Sequence, residues 1–267
     1  EEVVAVGTRR EARSVGDSPA PVDIITGSDF VNQGAMDLPD MIRTLVPSFN
    51  VNTQPISDAA TLIRPANLRG LPPDNMLILV NGKRRHRGAV ISFLGSGISD
   101  GAQGPDISAI PSIALKQVEV LRDGASAQYG SDAIAGIMNF VLRDNSEGTQ
   151  LEIRTGEYKE GDGDAWRVAA NLGMPFTSDG FANLSVELQD SKATSRSVQR
   201  ADAQGLYDGG NTAIWNYPEP AQIWGSPDVS DDYKFVVNLG LSLDESKDFY
   251  LFGNYGERKV LGGFFFR

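Results

Sequence analysis

The sequence predicts two consecutive units, a small α+β domain followed by the antiparallel strands of a transmembrane β-barrel. Near residue 145, short mixed elements give way to segments of about ten residues in which apolar and polar residues alternate. Aromatic residues also lie at both ends of these later segments. The predicted divisions are a tether over residues 1–21, a domain over residues 22–145 and barrel strands over residues 146–267.

The first unit begins with a short extended segment and a polar tether, Thr8 to Pro21. Ser28 is predicted to cap a short helix that ends at Gly34. Asp37 is predicted to cap a second helix that runs through Leu45. Valine, isoleucine and aromatic residues predict strands in "PVDIIT", "SFNVN", "NMLILVNG", "QVEVL" and "IMNFVL".

The stretch from Val118 to Arg143 has β-rich ends around a middle of Gly, Ala and Ser. No lysine follows Gly130, so it is not a phosphate-binding P-loop. Ser126 lacks the second glycine of a nucleophile elbow, and His86 is the only histidine available as a base. The pattern predicts a strand, a turn, a short helical turn capped by Gly130 and a returning strand.

Five segments with a period of two follow residue 145, and a tight turn or a long loop joins each to the next. We expect Leu172, Leu184 and Leu239 to face lipid, and the polar residues Asn171, Ser185 and Asn238 to face the barrel interior. A soluble sandwich has the same alternation. Aromatic residues favour the barrel because two girdles are predicted: Phe176, Phe181, Phe249 and Tyr250 at one end, and Tyr158, Trp166, Tyr233 and Phe235 at the other.

Composition excludes several other functions. The 267 residues carry a net charge of −11, which disfavours binding to nucleic acid. The chain has no cysteine, which excludes metal sites with thiolate ligands. The run Lys83–Arg87 is interpreted as a solvated hairpin end, and Asp162-Gly163-Asp164 lacks the remaining ligands of a calcium loop. No apolar run approaches about 18 residues, as a transmembrane helix requires. No convergent acid, base or metal set predicts an enzyme or a cofactor.

Three stretches carry a resemblance to a known family: "EEVVAVGTR", "LRGLPPDNMLILVNGKRRHRGAV" and "DISAIPSIALKQVEVLRDGASAQYGSDAIAGIMNFVLR". They resemble the plug domain of TonB-dependent outer-membrane receptors, and the alternating strands resemble the first part of that family's 22-stranded barrel. The resemblance implies energy-coupled uptake of a scarce, bulky ligand across the bacterial outer membrane. A signalling receptor is the main alternative, and a soluble β-rich enzyme or binding protein is a further one.

The resemblance also implies partners. A TonB-type protein of the inner-membrane complex is expected to pair with a coupling strand made of Glu2, Val3, Val4, Ala5, Val6 and Gly7. Arg69 and Arg122 match plug-motif arginines that are expected to pair with carboxylates inside the barrel. Close packing of the plug against the barrel wall is expected at Gly124, Tyr129, Gly130 and Gly136, where small residues permit near approach.

Ligand contacts are expected where the chain has long irregular stretches. The loops Thr53 to Ala66 and Gly88 to Pro111 are predicted to form the plug's outward-facing apex, because both ends of the plug lie toward the periplasm. The candidate residues are Gln54, Asp58, Arg87, Phe93, Tyr207, Trp215, Tyr217 and Trp224. Siderophore complexes, cobalamin-like molecules, oligosaccharides and peptides all remain open as ligands.

Overall fold

The computed structural model describes residues 3–4, 13–14, 21–53, 59–92, 97–122, 126–213, 224–244 and 246–262. Two five-stranded sheets dominate this part of the chain. The first lies in residues 21–145, which we call the N-terminal domain, and the second in residues 149–262, which we call the barrel sheet. No helix in the described ranges has the length and apolar character needed to cross a membrane.

The strands before residue 145 are short. In chain order they are β1 (Val3–Val4), β2 (Arg13–Ser14), β3 (Val22–Thr26), β4 (Phe49–Val51), β5 (Ala66–Leu68), β6 (Met76–Val80), β7 (Lys83–Arg84), β8 (Leu115–Leu121) and β9 (Gly136–Leu142). The N-terminal sheet has the order β3-β8-β9-β6-β7, and β6 and β9 are its parallel pair. Strands β1 and β2 pair with each other, as do β4 and β5.

The barrel sheet has the order β10 (Thr149–Gly156), β11 (Ala165–Pro175), β12 (Gly180–Ser191), β13 (Asp228–Asp244) and β14 (Lys247–Leu261). Each strand pairs antiparallel with the next. Four residues separate β11 from β12 and two separate β13 from β14, whereas 36 residues separate β12 from β13. The five predicted strands, with their alternation of short and long connections, are therefore confirmed.

The helices are α1 (Gly27–Val31), α2 (Leu38–Leu45), α3 (Ala60–Ile63), α4 (Ser126–Tyr129) and α5 (Ala201–Asp208). Asp37 caps α2 as predicted, since its carboxylate accepts the Asp40 amide at 3.1 Å. The prediction for α1 was wrong: Thr26 is the cap, and its amide donates to Asp29 at 2.7 Å. Asp29 stands three residues after Thr26, which is the capping-box spacing.

Apolar side chains of α2, β6, β8 and β9 form the core of the N-terminal domain. Val118 and Phe140 are fully buried there, so the stretch Val118 to Arg143 builds the centre of the sheet through β8 and β9. The turn Asn81-Gly82, with φ values of 47° and 72°, connects β6 to the exposed strand β7. The run beginning at Lys83 is therefore a hairpin end, as predicted.

The two faces of the barrel sheet differ in polarity. The face toward the N-terminal domain buries polar and charged side chains: Arg167, Asn171, Asn183, Ser185, Glu187, Gln189, Lys234 and Asn238. The outer face exposes apolar ones: Leu151, Ile153, Trp166, Leu172, Val186, Leu188, Phe235 and Leu251. A soluble sandwich buries its apolar face between the sheets, whereas a membrane barrel turns that face to lipid. Asn171, Ser185 and Asn238 face the N-terminal domain as predicted, and contact of the opposite face with lipid stays a prediction.

Candidate functional site

Arg167 stands at the centre of the contact between the barrel sheet and the N-terminal domain. Its side chain is fully buried, and Nη2 donates to Ser112 Oγ of the N-terminal domain at 2.7 Å. Nη2 also lies 2.6 Å from Oε2 of Glu187, and Nη1 lies 3.0 Å from Oε2 of Glu152. A buried guanidinium requires such pairing because its desolvation is costly.

Lys234 extends this buried network along the sheet. Its ammonium nitrogen lies 2.6 Å from Oε1 of Glu187 and 3.4 Å from Oδ2 of Asp232. Glu187 and Lys234 are direct cross-strand partners in β12 and β13, which is why their side chains meet. Because side chains alternate along a strand, Glu187, Asp232 and Lys234 all lie on the inner face of the sheet. Their opposite charges therefore neutralise one another where water is excluded.

Arg154 joins the first barrel strand to helix α1. Its Nη2 donates to the carbonyl oxygens of Phe30 and Val31, both at 3.0 Å, and Nη1 donates to the carbonyl of Gln33 at 2.5 Å. The last carbonyls of a helix lack partners within the helix and carry partial negative charge. A cation from the barrel sheet therefore caps this helix.

Arg258 holds both long loops of the N-terminal domain. It donates to the carbonyl of Leu62 in the first loop and to Ser108 in the second. Its Nη2 also lies 3.2 Å from Oδ2 of Asp106. One side chain near the end of β14 therefore joins residue 62 of the first loop to residues 106 and 108 of the second, which are distant in sequence.

Asparagine side chains make further contacts between the two units. Nδ2 of Asn183 donates to Oδ1 of Asn145 at 2.9 Å, and Nδ2 of Asn238 donates to the carbonyl of Arg143 at 2.9 Å. Val236, 4% exposed, adds one apolar side chain to the core of the N-terminal domain. The interface is thus mainly polar, and such contacts can be exchanged for water more readily than apolar ones.

A second polar cluster lies where helix α2 begins. Arg64 donates to the carboxylates of Asp37 and Asp40, and its Nη2 lies 3.1 Å from Oδ2 of Asp40. We call Asp37, Asp40 and Arg64 the carboxylate clasp. Burial, together with the charge of Asp37, raises the pKa of Asp40 to about 6. Burial also acts to raise the pKa of Asp37, but Arg64 and hydrogen bonds involving Asp40 lower it to about 2.

The carboxylate clasp borders a cavity of about 390 Å³ between the N-terminal domain and the barrel sheet. Thr53 and Thr61 of the first long loop line it, as do Tyr158 and Lys192 at one end of the sheet. That end carries the long connection 192–227, the kind that faces outward in outer-membrane barrels. Thr53 and Thr61 of the first loop therefore lie at the end of the sheet expected to be extracellular. Within the described ranges, no three His, Asp or Glu side chains are grouped as metal ligands would be.

The two plug-motif arginines contact the N-terminal domain itself. Nη1 of Arg69 donates to the carbonyl of Arg122 at 2.5 Å, and Arg122 forms an ion pair with Asp23 of β3. The partner expected for Arg122 was a barrel carboxylate, whereas the partner in the structure is a carboxylate of the neighbouring plug strand. Contact of either arginine with further barrel strands stays a prediction.

The small residues expected at the barrel wall also serve the interior of the N-terminal domain. A side chain at Gly136, with φ of 136°, would meet the carbonyl of Leu121 at 2.5 Å. Gly130, with φ of 91°, ends the short helix α4, and Tyr129 packs beside a small cluster that includes Leu121. Gly124 lies outside the described residues. At Gly136 the absence of a side chain permits close approach between β8 and β9, and contact of these residues with the barrel wall stays a prediction.

The structure places three of the ligand candidates. Arg87 lies 4.0 Å from Asp132 in an ion pair, Tyr207 is half-buried on α5, and Trp224 is 58% exposed in the long connection. Arg87 belongs to the N-terminal domain, whereas Tyr207 and Trp224 belong to the connection between β12 and β13. The other candidates, Gln54, Asp58, Phe93, Trp215 and Tyr217, lie outside the described residues. So do Glu2, Ala5, Val6 and Gly7 of the expected coupling strand, whereas Val3 and Val4 form β1.

Sequence reasoning missed the residues that make the interface: Arg154, Arg167, Glu187, Lys234 and Arg258. Alternation assigned their strands an inward face, and charged residues at inward positions were the available signal. Such charges require partners because they are buried. Sequence alone did not say which residues those partners are.

Comparison with known proteins supports the architecture. A family described as "TonB-dependent Receptor Plug Domain" matches residues 14–137. A probable TonB-dependent siderophore receptor PirA of Acinetobacter baumannii is 29% identical over 162 residues, which cover 59% of this chain and 21% of that protein. A vitamin B12 transporter BtuB of Vibrio cholerae is 29% identical over 164 residues, covering 60% of this chain and 24% of the transporter.

A solved structure shares the fold over most of the chain. It is a mutant ferric enterobactin receptor of Pseudomonas aeruginosa in complex with enterobactin, with a TM-score of 0.66 and 21% identity. The similarity covers 90% of this chain and 33% of that receptor. The chain thus spans about a fifth to a quarter of the curated relatives' length, 21% and 24%, and about a third of the solved receptor.

Proposed function

Because this chain belongs to the TonB-dependent receptor family, with that family's plug domain over residues 14–137, we propose that it acts in energy-coupled uptake of a scarce, bulky ligand across the outer membrane. The observation that carries the proposal is the polarity of the barrel sheet: its polar face packs on the plug and its apolar face points away. A plug held by polar contacts inside a lipid-facing wall suits a gated pore. Members of the family are outer-membrane proteins of Gram-negative bacteria.

The proposed domain limits are a tether over residues 1–21, the plug over 22–145 and barrel strands over 146–267. The change at residue 145 is supported by the start of β10 at Thr149 and by the separate sheets on either side. The relatives are named as receptors and transporters, which supports a non-enzymatic role. A receptor that reports ligand occupancy instead of transporting the ligand remains the alternative.

Coupling to a TonB-type protein is proposed to occur through the segment Glu2–Gly7. Val3 and Val4 form a strand and pair with Ser14 and Arg13 in antiparallel register. A strand has two hydrogen-bonding edges, and this pairing uses one of them. A partner's strand can add to the other edge, where main-chain hydrogen bonds provide most of the affinity.

The ligand is proposed to meet the plug at the two long loops and the aromatic residues of the long connection. Arg258 and the carboxylate clasp support this, since they fix these loops at the sheet end that carries Tyr158 and Lys192. One relative is named for a siderophore and another for vitamin B12. Ferric enterobactin and cyanocobalamin are therefore the first two probes for binding by the full-length receptor.

Val4→Pro tests the coupling proposal. Proline removes an amide donor and fixes φ, so we expect uptake of whichever probe binds to be lost while binding at the cell surface is retained. Val4→Thr is the matched control, because threonine keeps both the amide and the branched Cβ, and uptake should persist. Normal uptake by Val4→Pro would contradict coupling through this segment. Binding followed by a transcriptional response without uptake would favour the signalling alternative.

A further inference from the structure

Arg64 connects the two ends of the first long loop to helix α2. The residue follows α3 in a left-handed conformation, with φ of 50°, and its Nε donates to the carbonyl of Asn52 at 3.1 Å. Its guanidinium reaches the two carboxylates of α2, and the Arg64 side chain is only 11% exposed. A single planar donor group thus joins residue 64, residue 52 and the start of α2.

The carboxylate clasp has one more negative than positive charge when both aspartates are ionised. Oδ1 of Asp40 is buried, and no donor in the described part of the chain hydrogen-bonds it. Nη2 of Arg43 lies 3.3 Å from that oxygen in an ion pair, but the Arg43 side chain is 48% exposed and its charge is screened by water. The unsatisfied oxygen is where a proton would add, to be shared with the neighbouring Asp37.

We propose that Asp37, Asp40 and Arg64 hold residues 59–64 of the plug against the start of helix α2, and that uptake of one proton by the two carboxylates strengthens this hold. Protonation leaves Asp37 paired with Arg64 and removes the surplus negative charge. The direction follows from linkage. A carboxyl group that binds its proton more tightly in this arrangement than in water stabilises the arrangement as the pH falls.

Charged groups of the barrel sheet also face the carboxylate clasp across the cavity. They are Glu157, Lys192, Asp232 and Arg258, two acidic and two basic, so they add no net charge at neutral pH. Lys234 acts on Asp37 from the same side and favours its ionised form. Asp40 is therefore the group in the carboxylate clasp expected to change its charge between pH 5 and pH 7.5.

A segment whose position is already fixed loses less conformational entropy when a ligand binds, so holding residues 59–64 in place would favour tight binding. That consequence rests on the proposed function, which places this segment on the ligand side. The positioning itself does not depend on transport. It is tested without a ligand or an energy source, so failure of the uptake proposal would leave this result standing.

The test is hydrogen exchange of residues 59–64 in the full-length receptor, measured by mass spectrometry and divided by the intrinsic exchange rate at each pH. With a pKa of about 6 in the closed state and 3.8 in the open state, opening should be about tenfold less frequent at pH 5 than at pH 7.5. Asp40→Asn imitates the protonated form. It should show the slow exchange at both pH values.

Two arginine variants and one control complete the design. Arg64→Met should speed exchange of residues 59–64 about tenfold or more at pH 5, and Arg64→Lys should be intermediate because an ammonium cannot form both contacts. Asp144→Asn, which breaks an exposed ion pair with Lys116, should change nothing in this segment. If Asp40→Asn keeps the wild-type pH dependence, or if both arginine variants exchange as the wild type does, the proposal is overturned.

Discussion

Nη2 of Arg154 lies 3.0 Å from the carbonyl oxygen of Phe30, so a side chain of the first barrel strand completes the end of a plug helix. The two residues are 124 positions apart in sequence. Helix α1 has five residues, too few to be stable by itself. The barrel wall therefore takes part in forming the plug's local structure as well as in holding the plug in place.

Replacing Arg154 should release helix α1 from the barrel wall. Arg154→Met keeps much of the side chain's bulk but loses four hydrogen bonds to main-chain carbonyls. We expect a local loss of about 2–3 kcal/mol, since hydrogen bonds from charged groups contribute most among such contacts. Hydrogen exchange of residues 27–35 measures it. Arg154→Lys should retain part of the protection, and unchanged exchange in Arg154→Met would contradict the capping role.

Removing the charge of Glu187 should destabilise the barrel sheet strongly. Glu187→Gln leaves Arg167 and Lys234 buried beside a neutral partner, at a cost of about 3–5 kcal/mol. The expected result is a clear fall in the temperature at which the detergent-solubilised receptor loses its folded mobility on a gel. Asp244→Asn, which breaks an exposed ion pair with Lys247, is the control and should leave that temperature unchanged. If Glu187→Gln and Asp244→Asn had the same unfolding temperature, the buried network would add no stability.

Gly136→Ala should disrupt the centre of the plug sheet. The new Cβ would lie 2.5 Å from the carbonyl of Leu121, at a φ of 136° that other residues rarely adopt. We expect a cost of about 3–5 kcal/mol from strain and overlap together. We expect this loss of stability to be measurable as faster hydrogen exchange in β8 and β9.

Alanine substitutions at two other glycines distinguish the effect of backbone strain from the effect of steric overlap. Gly130→Ala has the unfavourable φ of 91° but no atom within 4 Å, so its effect should be smaller than that of Gly136→Ala. At Gly34 neither problem exists, and Gly34→Ala should stay within about 0.5 kcal/mol of the wild type. If the amides of β8 and β9 exchanged at the same rate in Gly136→Ala as in Gly34→Ala, the close approach of Gly136 to Leu121 would have no energetic importance.

Sequence alone determined the features that depend on neighbouring residues. The alternation around Leu172 and Leu184 specified which side chains share a face, because successive side chains of a strand point to opposite sides. The cap of α2 at Asp37 was also predictable, since its acceptor and donor are three residues apart. For α1 the sequence prediction of Ser28 was wrong, because Thr26 interacts with Asp29 three residues further on.

Only the tertiary structure decided which partners the buried polar residues find. Alternation placed Arg154 and Arg167 on an inward face, but Phe30 and Ser112 reach them only after the plug has docked against the sheet. Arg122 carried a strong sequence signal, yet its partner in the structure is Asp23, because β3 and β8 are adjacent in the plug sheet. A local pattern sets the direction of a side chain. Its partner depends on strand order and docking, which bring distant parts of the chain together.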